Sequence, residues 1–471
     1  MATLNTSTLP EAVTELYRMW QGSLSRLDML DRYINGQHDG PYTPPEANYE
    51  YRHLADKSVT NWMQLVLAAP AQAMYVDGYR TSGQSDNAAP WDYWQRNGLD
   101  ARQAAIYRAS MGYGVSYVIA RDGVDPMTGQ PSPVIRGVSP RRGVAAYSAA
   151  GDDWPYAGLS ITHWTDREWS GDVLDDVNVW PVTSSRGDDG QWSLKVGEPV
   201  PHGATVAPMV RFPDMPDLEG RHPGMIEPLI PVQDRINQTS FDLLMTQTFA
   251  SFKVRTISGM ILTPQHDDTD PEATAEALAA ARAAKIRVGA DRMLVAEDAD
   301  TKFGTLDESP LKPFVEAQDA NVRHLAAVSQ TPPHHLLGQM ANLSAEALAA
   351  AEASLTRKVE ERQTQYGEAW EQTLRVAAQI AGDTDAATDV AAEVSWRDTE
   401  ARSLAATVDA LGKAAQMLNV PKRALWHRIP GTTDQELARW EQLAAEDDAF
   451  GGLAELLTRQ ADLNDPVTGV A

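Results

Sequence analysis

Residues 310–381 have the most informative sequence of the chain, PLKPFVEAQDANVRHLAAVSQTPPHHLLGQMANLSAEALAAAEASLTRKVEERQTQYGEAWEQTLRVAAQIA. Its pattern predicts a helix over 310–329, a Pro- and Gly-punctuated polar loop over 331–343, and a second helix over 344–381. Gly367 is the only helix breaker in the second helix, and β-branched residues are few there. A helix of about 38 residues is ~55 Å long, more than a compact domain needs. We therefore expect it to act as a strut.

A helix-flanked insert precedes this stretch. Apolar spacing predicts a helix over 224–252, with its prolines confined to the opening turns. Residues 253–308 then predict a small α/β insert, formed by a strand KVRTISGMIL, a helix and a strand RMLVAE. The helix begins with Asp270 as cap and Pro271 in its first turn. The order is therefore helix, insert, helix, loop and long helix.

The first 223 residues combine helices with a β-subdomain. Three-to-four spacing of apolar residues predicts helices over 9–34, 58–75 and 91–112, the last ended by Gly112. From about residue 114 to 212 the pattern changes to short alternating runs separated by turns, beginning with a hairpin. This part is predicted to be a small antiparallel β-subdomain.

The C-terminal part returns to helix. EVSWRD, residues 393–398, predicts one strand, and 399–471 predicts two or three helices followed by an unstructured tail. The complete pattern indicates the α+β class, with about three domain-sized units in 471 residues.

Composition limits the function. The chain has 43% hydrophobic and 22% charged residues, no run of ~18 apolar residues and no secretory signal, so we expect a protein made and kept in the cytoplasm. Without cysteine it can form neither disulfides nor thiolate metal sites. The net charge of -25 opposes tight phosphate binding, so any DNA partner would be held loosely.

Motifs for catalysis are missing from the sequence. No GxxxxGK[ST], GxGxxG after a strand, HExxH or GxSxG occurs, so we predict no catalytic residue, no metal and no cofactor. His334 and His335 are adjacent, and neighbouring side chains rarely point to one site, so they are interpreted as loop residues. Trp91 and Trp94 are expected to fill a core.

The acidic run GDTDAATD, residues 382–389, superficially resembles a calcium loop. Counted from Asp383, the positions that need glycine and glutamate hold Thr388 and Val394. The run is therefore predicted to be a solvated turn between a helix and a strand.

Several short sequence segments and the order of the predicted elements together resemble portal proteins of tailed bacteriophages, in particular those of long-tailed (siphovirus) phages of actinobacteria. The resemblance covers about residues 9–445. The segments that carry it are YINGQH (33–38), NWMQLVLAAPAQAMYVDGYR (61–80), WQRNGLDARQ (94–103), GYGVSYVIA (112–120), VSPRRGVAAY (138–147) and HLAAVSQTPPHHLLGQMANLSAEAL (324–348).

The resemblance implies a phage portal fold with a helical and β wing, two stem helices, a small α/β clip, a long wing helix and a helical crown. The C-terminal region is shorter than in longer portals, which leaves the size of the crown open. The implied parts are wing 1–223, stem helix 224–252, clip 253–308, stem helix 309–330, tunnel loop 331–343, long wing helix and closing strand 344–398, and crown with tail 399–471.

By the same resemblance, twelve copies form a ring at one capsid vertex of the virion, through which double-stranded DNA is packaged and ejected without sequence preference. The implied partners are the major capsid and scaffolding proteins, the terminase large subunit and a head–tail adaptor, with no membrane. Two alternatives stay open: another head–tail connector or minor capsid protein, and a hydrolase with an unrecognised carboxylate site.

The resemblance also assigns candidate channel residues. Arg235, Lys312 and Arg323 would form rings of positive charge on the stem helices, or salt bridges between adjacent subunits. The loop from Thr331 to Ser344 contains no Lys or Arg, in agreement with weak contact to DNA. Its candidate residues are His334, His335, Gln339, Met340 and Asn342.

Overall fold

A computed structural model describes most of the chain. The described residues are 7–47, 49–81, 89–125, 127–250, 255–258, 302–305, 310–338, 345–397, 404–429, 432, 436–437 and 439–446. By contact they form two compact units, Met1–Ser395 and Trp396–Ala471. Among the described residues, no helix is both long and apolar enough to span a lipid bilayer.

Eleven α-helices are described. They are α1 Leu9–Ile34, α2 Tyr49–Ser58, α3 Trp62–Ala73, α4 Ala89–Arg96, α5 Leu99–Tyr113, α6 Ile230–Ala250, α7 Lys312–Val328, α8 Pro333–Leu337, α9 Ala345–Ala381, α10 Thr384–Thr388 and α11 Leu404–Met417. Short 3₁₀ helices lie at Glu227–Leu229 and Lys422–Arg428.

Thirteen strands are described. They are β1 Val76–Arg80, β2 Val115–Arg121, β3 Val134–Val138, β4 Gly143–Ala146, β5 Ala157–Trp164, β6 Glu168–Leu174, β7 Asn178–Arg186, β8 Trp192–Val196, β9 Val200–Pro201, β10 Met209–Pro213, β11 Arg255–Ser258, β12 Lys302–Thr305 and β13 Glu393–Trp396.

The β-region contains two antiparallel sheets. One has the order β10-β2-β3, and the other has the order β4-β5-β6-β7-β8 with β9 paired to β7. The predicted hairpin is present as β2 and β3, with Tyr117 opposite Val138. Strands β4, β6 and β10 were not predicted, because GVAA, EWSGDVL and MVRFP lack a run of β-branched residues in alternation.

Helix α1 packs on the larger sheet. The ring of Tyr17 stacks on Trp169 of β6, with centroids 4.8 Å apart and planes 10° from parallel. The apolar positions predicted from spacing therefore form the core between helix and sheet. The buried residues of this core include Leu9, Val13, Leu16, Trp20, Leu159, Trp169, Val173 and Trp180.

Helix α9 contributes the largest side chains of a second core. Trp370 packs edge-on against Trp94 and Phe212, with centroid distances of 4.6 and 4.9 Å. Its indole N–H donates to the hydroxyl of Tyr107 at 2.8 Å, and Tyr107 stacks on Tyr366. The predicted core position of Trp94 is confirmed, and the 37-residue helix contacts α4, β2 and β10.

Two N-terminal helix predictions need correction. The helix predicted over 91–112 is broken at Gly98, whose φ is +58°, and ends at Tyr113 instead of Gly112. The side chain of Asn97 accompanies the break, because it donates to Tyr93 O of α4 at 2.8 Å and to Pro133 O at 2.9 Å and accepts from Ile135 N at 2.8 Å.

The helix predicted over 58–75 begins at Trp62, because the side chain of Asn61 caps it by accepting from the backbone N–H of Gln64. Before it lies α2 and after it β1, neither of which was predicted. Strand β1 pairs with β13, a strand that the sequence did predict.

The structure tests two further predictions in part, those for the acidic run 382–389 and for the insert 253–308. The run 382–389 contains the short helix α10, capped by Asp383, where a turn was predicted. In the predicted insert 253–308, β11 and β12 pair antiparallel, with Arg255 opposite Thr305. The predicted helix from Asp270 and the predicted strand RMLVAE lie outside the described residues.

Candidate functional site

Helices α6 and α7 form an antiparallel hairpin. Gln318 donates to Ser240 Oγ and Asn321 donates to Thr239 Oγ1, both at 3.0 Å, so the partner number falls as the residue number on α7 rises. Both helices lie where the sequence predicted them, although α6 begins only at Ile230, after the 3₁₀ turn. Polar hydrogen bonds thus fix the register of the two helices.

The first turns of α6 are tied to the N-terminal helices by buried amides. Gln233 accepts from Trp62 N and donates to Thr60 O at 2.8 Å, and Asn237 accepts from Thr60 N. Asn237 Nδ2 also lies 2.7 Å from Nε2 of His38, whose pKa is lowered by burial. Because buried amides without partners are costly, this network specifies one position for the base of α6.

The turn that leads into α6 is held by one arginine. Arg26 of α1 donates to the carbonyl oxygens of His222 and Pro223 at 3.2 and 3.1 Å, and its Nε donates to Glu227 at 2.9 Å. Here Gly114 has φ +94° and lies so close that a Cβ would come within 1.9 Å of His222 O. Only glycine fits at that contact.

The end of α7 is closed by a Schellman-type cap. The N–H of Thr331 donates to Ala326 O at 3.0 Å, and the N–H of Gln330 donates to Ala327 O at 3.2 Å. Gln330 takes the left-handed conformation, φ +51°, that glycine usually fills. The loop predicted at 331–343 therefore begins with α8, a helix of five residues, and is not irregular throughout.

Helix α8 carries the two adjacent histidines. His334 Nε2 and His335 Nε2 lie 2.7 and 2.9 Å from the same oxygen, Oε1 of Glu352 on α9. The expectation that adjacent histidines point to different places is wrong, because the side chain of Glu352 reaches both.

A buried charged cluster joins α9 to its neighbours. Arg362 lies against Asp214, with Nε 2.8 Å from Oδ1 and side-chain exposures of 4% and 0%. One turn earlier, Lys358 Nζ donates to Ser329 O at 2.6 Å, at the end of α7. Burial, with the Arg362 charge as a smaller cause, lowers the pKa of Lys358 to about 7. The long helix is thus bound both to the end of the hairpin and to the residue after β10.

The cations predicted for the hairpin are all exposed in the single subunit. Lys312 lies 3.6 Å from Glu316 of the same helix, and Arg235 and Arg323 face solvent. Gln339, Met340 and Asn342 lie outside the described residues. Four buried polar residues were not identified from the sequence, Gln233, Asn237, Lys358 and Arg362. Each is a polar residue at a position that continues the apolar face of its helix, and this was the signal that could have indicated its burial.

Comparison with protein families decides the identity of this arrangement. The family model described as "Phage portal protein, SPP1 Gp6-like" matches residues 15–449. The chain belongs to this phage portal protein family. Two portal relatives are similar over most of their length: the portal protein of Mycobacterium phage L5, 28% identical over 429 residues, and that of Mycobacterium phage D29, 27% identical over 443 residues. Each alignment covers 86% of this chain and 82% of the relative.

Solved structures were also compared with this portal family member. The neck of an empty gene transfer agent particle (C6 symmetry) matches with a TM-score of 0.43 and 13% identity, covering 81% of this chain and 92% of the other. The neck of the native particle (C12 symmetry) gives 0.41 and 12%, covering 85% and 98%. The match to the family model confirms the phage portal fold predicted from sequence, and the long-tailed actinobacterial resemblance agrees with the two mycobacteriophage relatives.

Proposed function

We propose that twelve copies of this chain form a ring at one capsid vertex, whose central channel passes double-stranded DNA during packaging and ejection. The observation that carries this proposal is the match of residues 15–449 to the portal family. In the matched region, a helix hairpin is followed by a short helix and then by a helix of 37 residues. In this proposal the chain is a structural subunit of the virion and not an enzyme.

The charge of the hairpin supports a channel role. The described parts of α6 and α7 carry three cations, Arg235, Lys312 and Arg323, against four carboxylates, so the hairpin is close to neutral in a chain of -25. Few phosphate-binding cations are available, and twelve chains would sum to about -300. DNA would then be repelled from tight contact and could slide.

The anchoring of the hairpin supports a role as a rigid stem. Its base is held by the buried amides of Gln233 and Asn237 on α6, and at the same end of the hairpin Ser329, which follows α7, is held by Lys358 of α9. Satisfied buried hydrogen bonds make a structure rigid, and a close-packed interior transmits strain. In the ring, α6 and α7 would be the stem helices, 253–308 the clip that meets terminase and the head–tail adaptor, and 331–343 the tunnel loop.

Electron microscopy of the purified protein tests the ring. The proposal predicts turbine-like particles with a central hole and twelve-fold symmetry. A small closed oligomer is expected of a hydrolase, and a monomer or a thin flat ring is expected of an adaptor, so either result overturns the proposal.

Packaging tests the tunnel loop. We expect the triple substitution of Gln339, Met340 and Asn342 by Ala to leave ring assembly intact and to reduce the fraction of DNA-filled heads. Gln191→Ala, in the exposed turn between β7 and β8, is the control and should package normally. Normal DNA-filled heads from the triple variant would contradict the assigned role of the loop.

A further inference from the structure

Three side chains of α8 and α9 converge on one point outside the contacts that hold the hairpin. His334, His335 and Glu352 each offer one ligand atom, and the three atoms lie within 4.8 Å of one another. The imidazole rings stand almost perpendicular, at 77° with centroids 4.6 Å apart, so they approach the carboxylate from different directions. Adjacent side chains on a helix diverge by about 100°, so their convergence depends on the carboxylate supplied by α9.

We propose that His334, His335 and Glu352 bind a divalent first-row transition-metal ion, for which Zn²⁺ is the probe. Two imidazole nitrogens and one carboxylate oxygen are a donor set that suits Zn²⁺, whereas Ca²⁺ and Mg²⁺ require oxygen ligands throughout. Three protein ligands leave one position of a tetrahedral ion open. Among the residues that the structure describes, this is the one group of three such side chains.

The distances agree with a site that is closed by hydrogen bonds and opens slightly to admit an ion. Ligand atoms around a tetrahedral Zn²⁺ lie ~3.3 Å apart, while the two nitrogens lie 2.7 and 2.9 Å from Oε1. The two nitrogen–oxygen distances would therefore each lengthen by about 0.5 Å on binding. Exposures of 7% for His334 and 33% for both His335 and Glu352 leave a path for the ion and freedom for the two outer side chains to move.

The ion would take the place of any proton shared between a ring nitrogen and the carboxylate, which depends on the tautomer of each histidine. Each Nε2–H that donates to Glu352 must lose its proton before the nitrogen can bind the metal. A neutral ring then carries its proton on Nδ1, and a charged ring releases one proton to solvent. One ion then replaces the two hydrogen bonds without any redox step.

Binding would connect two elements that are separated along the chain. His335 and Glu352 are 17 positions apart, and the ligands flank the residues that link α8 to α9. A bound ion would therefore hold α8 against the first turns of the long helix.

Isothermal titration of the full-length protein with Zn²⁺, after removal of metals with EDTA, tests this site. We expect one saturable site per chain, and His335→Ala and Glu352→Gln should each lower its affinity by more than about tenfold, since even residues that only orient metal ligands cost 10–100-fold. Co²⁺ in place of Zn²⁺ should give the visible absorption of a tetrahedral site in the wild type and not in the variants.

The matched control is His163→Ala. His163 and Glu168 form an exposed histidine–carboxylate pair, with 3.3 Å between Nε2 and Oε1, and this pair has no second histidine. His163→Ala should leave Zn²⁺ binding unchanged.

No saturable binding, or equal affinity in wild type and both site variants, overturns the proposal. Glu352→Gln preserves the shape of the side chain, and circular dichroism checks that each variant is folded. Because the readout is metal affinity, its failure is distinct from a failure to form rings.

Discussion

Replacing Arg362 by Met tests the buried charge cluster most sharply. The methionine fills similar space on α9 but removes the cation that faces Asp214, whose side chain is completely buried. Asp214 would retain Tyr366, whose hydroxyl lies 3.5 Å from Oδ1, and the more distant charge of Lys358. The variant thus leaves a carboxylate in the core without its main partner.

Removing one member of a buried ion pair costs about 3–5 kcal/mol. Two features of the cluster favour the lower end, and the first is that Asp214 keeps the hydroxyl of Tyr366. Arg362 lowers the pKa of Lys358, so its loss lets Lys358 keep its proton more readily and offset part of the missing charge. We therefore expect the free energy of local opening around α9 to fall by about 3 kcal/mol, which is roughly a hundredfold in the opening equilibrium.

Hydrogen–deuterium exchange measured by mass spectrometry gives this quantity directly. Peptides from the middle of α9 should exchange about a hundredfold faster in R362M, and adding D214N should recover at least half of the lost free energy. Arg357→Met is the control, because Arg357 is an exposed arginine on the same helix. If R362M exchanges no faster than R357M, or if D214N does not rescue it, the cluster does not hold the long helix in place.

Three other substitutions have defined outcomes. The pKa of Lys358 is about 7 in the folded state, against ~10.4 in the unfolded chain, so the folded state binds fewer protons between these pH values. Relative to K358M, the free energy of unfolding of the wild type should therefore rise by up to ~1.4 kcal/mol per pH unit above pH 7. Urea midpoints at pH 7, 8 and 9 measure this, and a constant difference would contradict it. G114A should lose more than about 2 kcal/mol, because its Cβ meets His222 O; G98A, with φ +58° and no atom within 4 Å, should lose only ~1 kcal/mol, and equal thermal shifts for the two would refute the contact. N237A should cost about 2 kcal/mol by leaving buried partners unsatisfied, and an unchanged urea midpoint would show that the amide network does not hold α6.

The sequence predicted the long elements well because each has a strong local signal. Helix α9 lies within one residue of its predicted start, since few helix breakers interrupt it. The pattern could not predict the break between α4 and α5, because the side chain of Asn97 accepts from Ile135 N of β3, a contact that local periodicity does not contain. Strand β1 was missed for a related reason, as its partner β13 lies more than 300 residues later.

The site was predicted less completely than the fold. The positions of α6 and α7 follow from apolar spacing, but the polar residues that hold them do not. Gln233 and Lys358 look like ordinary surface residues until the elements that surround them are known. The convergence of His334 and His335 depends on Glu352, a residue on a different helix. Side chains that meet from separate elements are set by tertiary packing, which a single sequence does not display.

The most direct test of the central claim is electron cryomicroscopy of the full-length protein in its assembled state. We expect a twelve-fold ring in which the α6–α7 hairpins surround a channel wide enough for double-stranded DNA, with α9 running outward from it. A monomer, a closed oligomer without a central channel, or a ring in which these hairpins lie on the outer surface would contradict it.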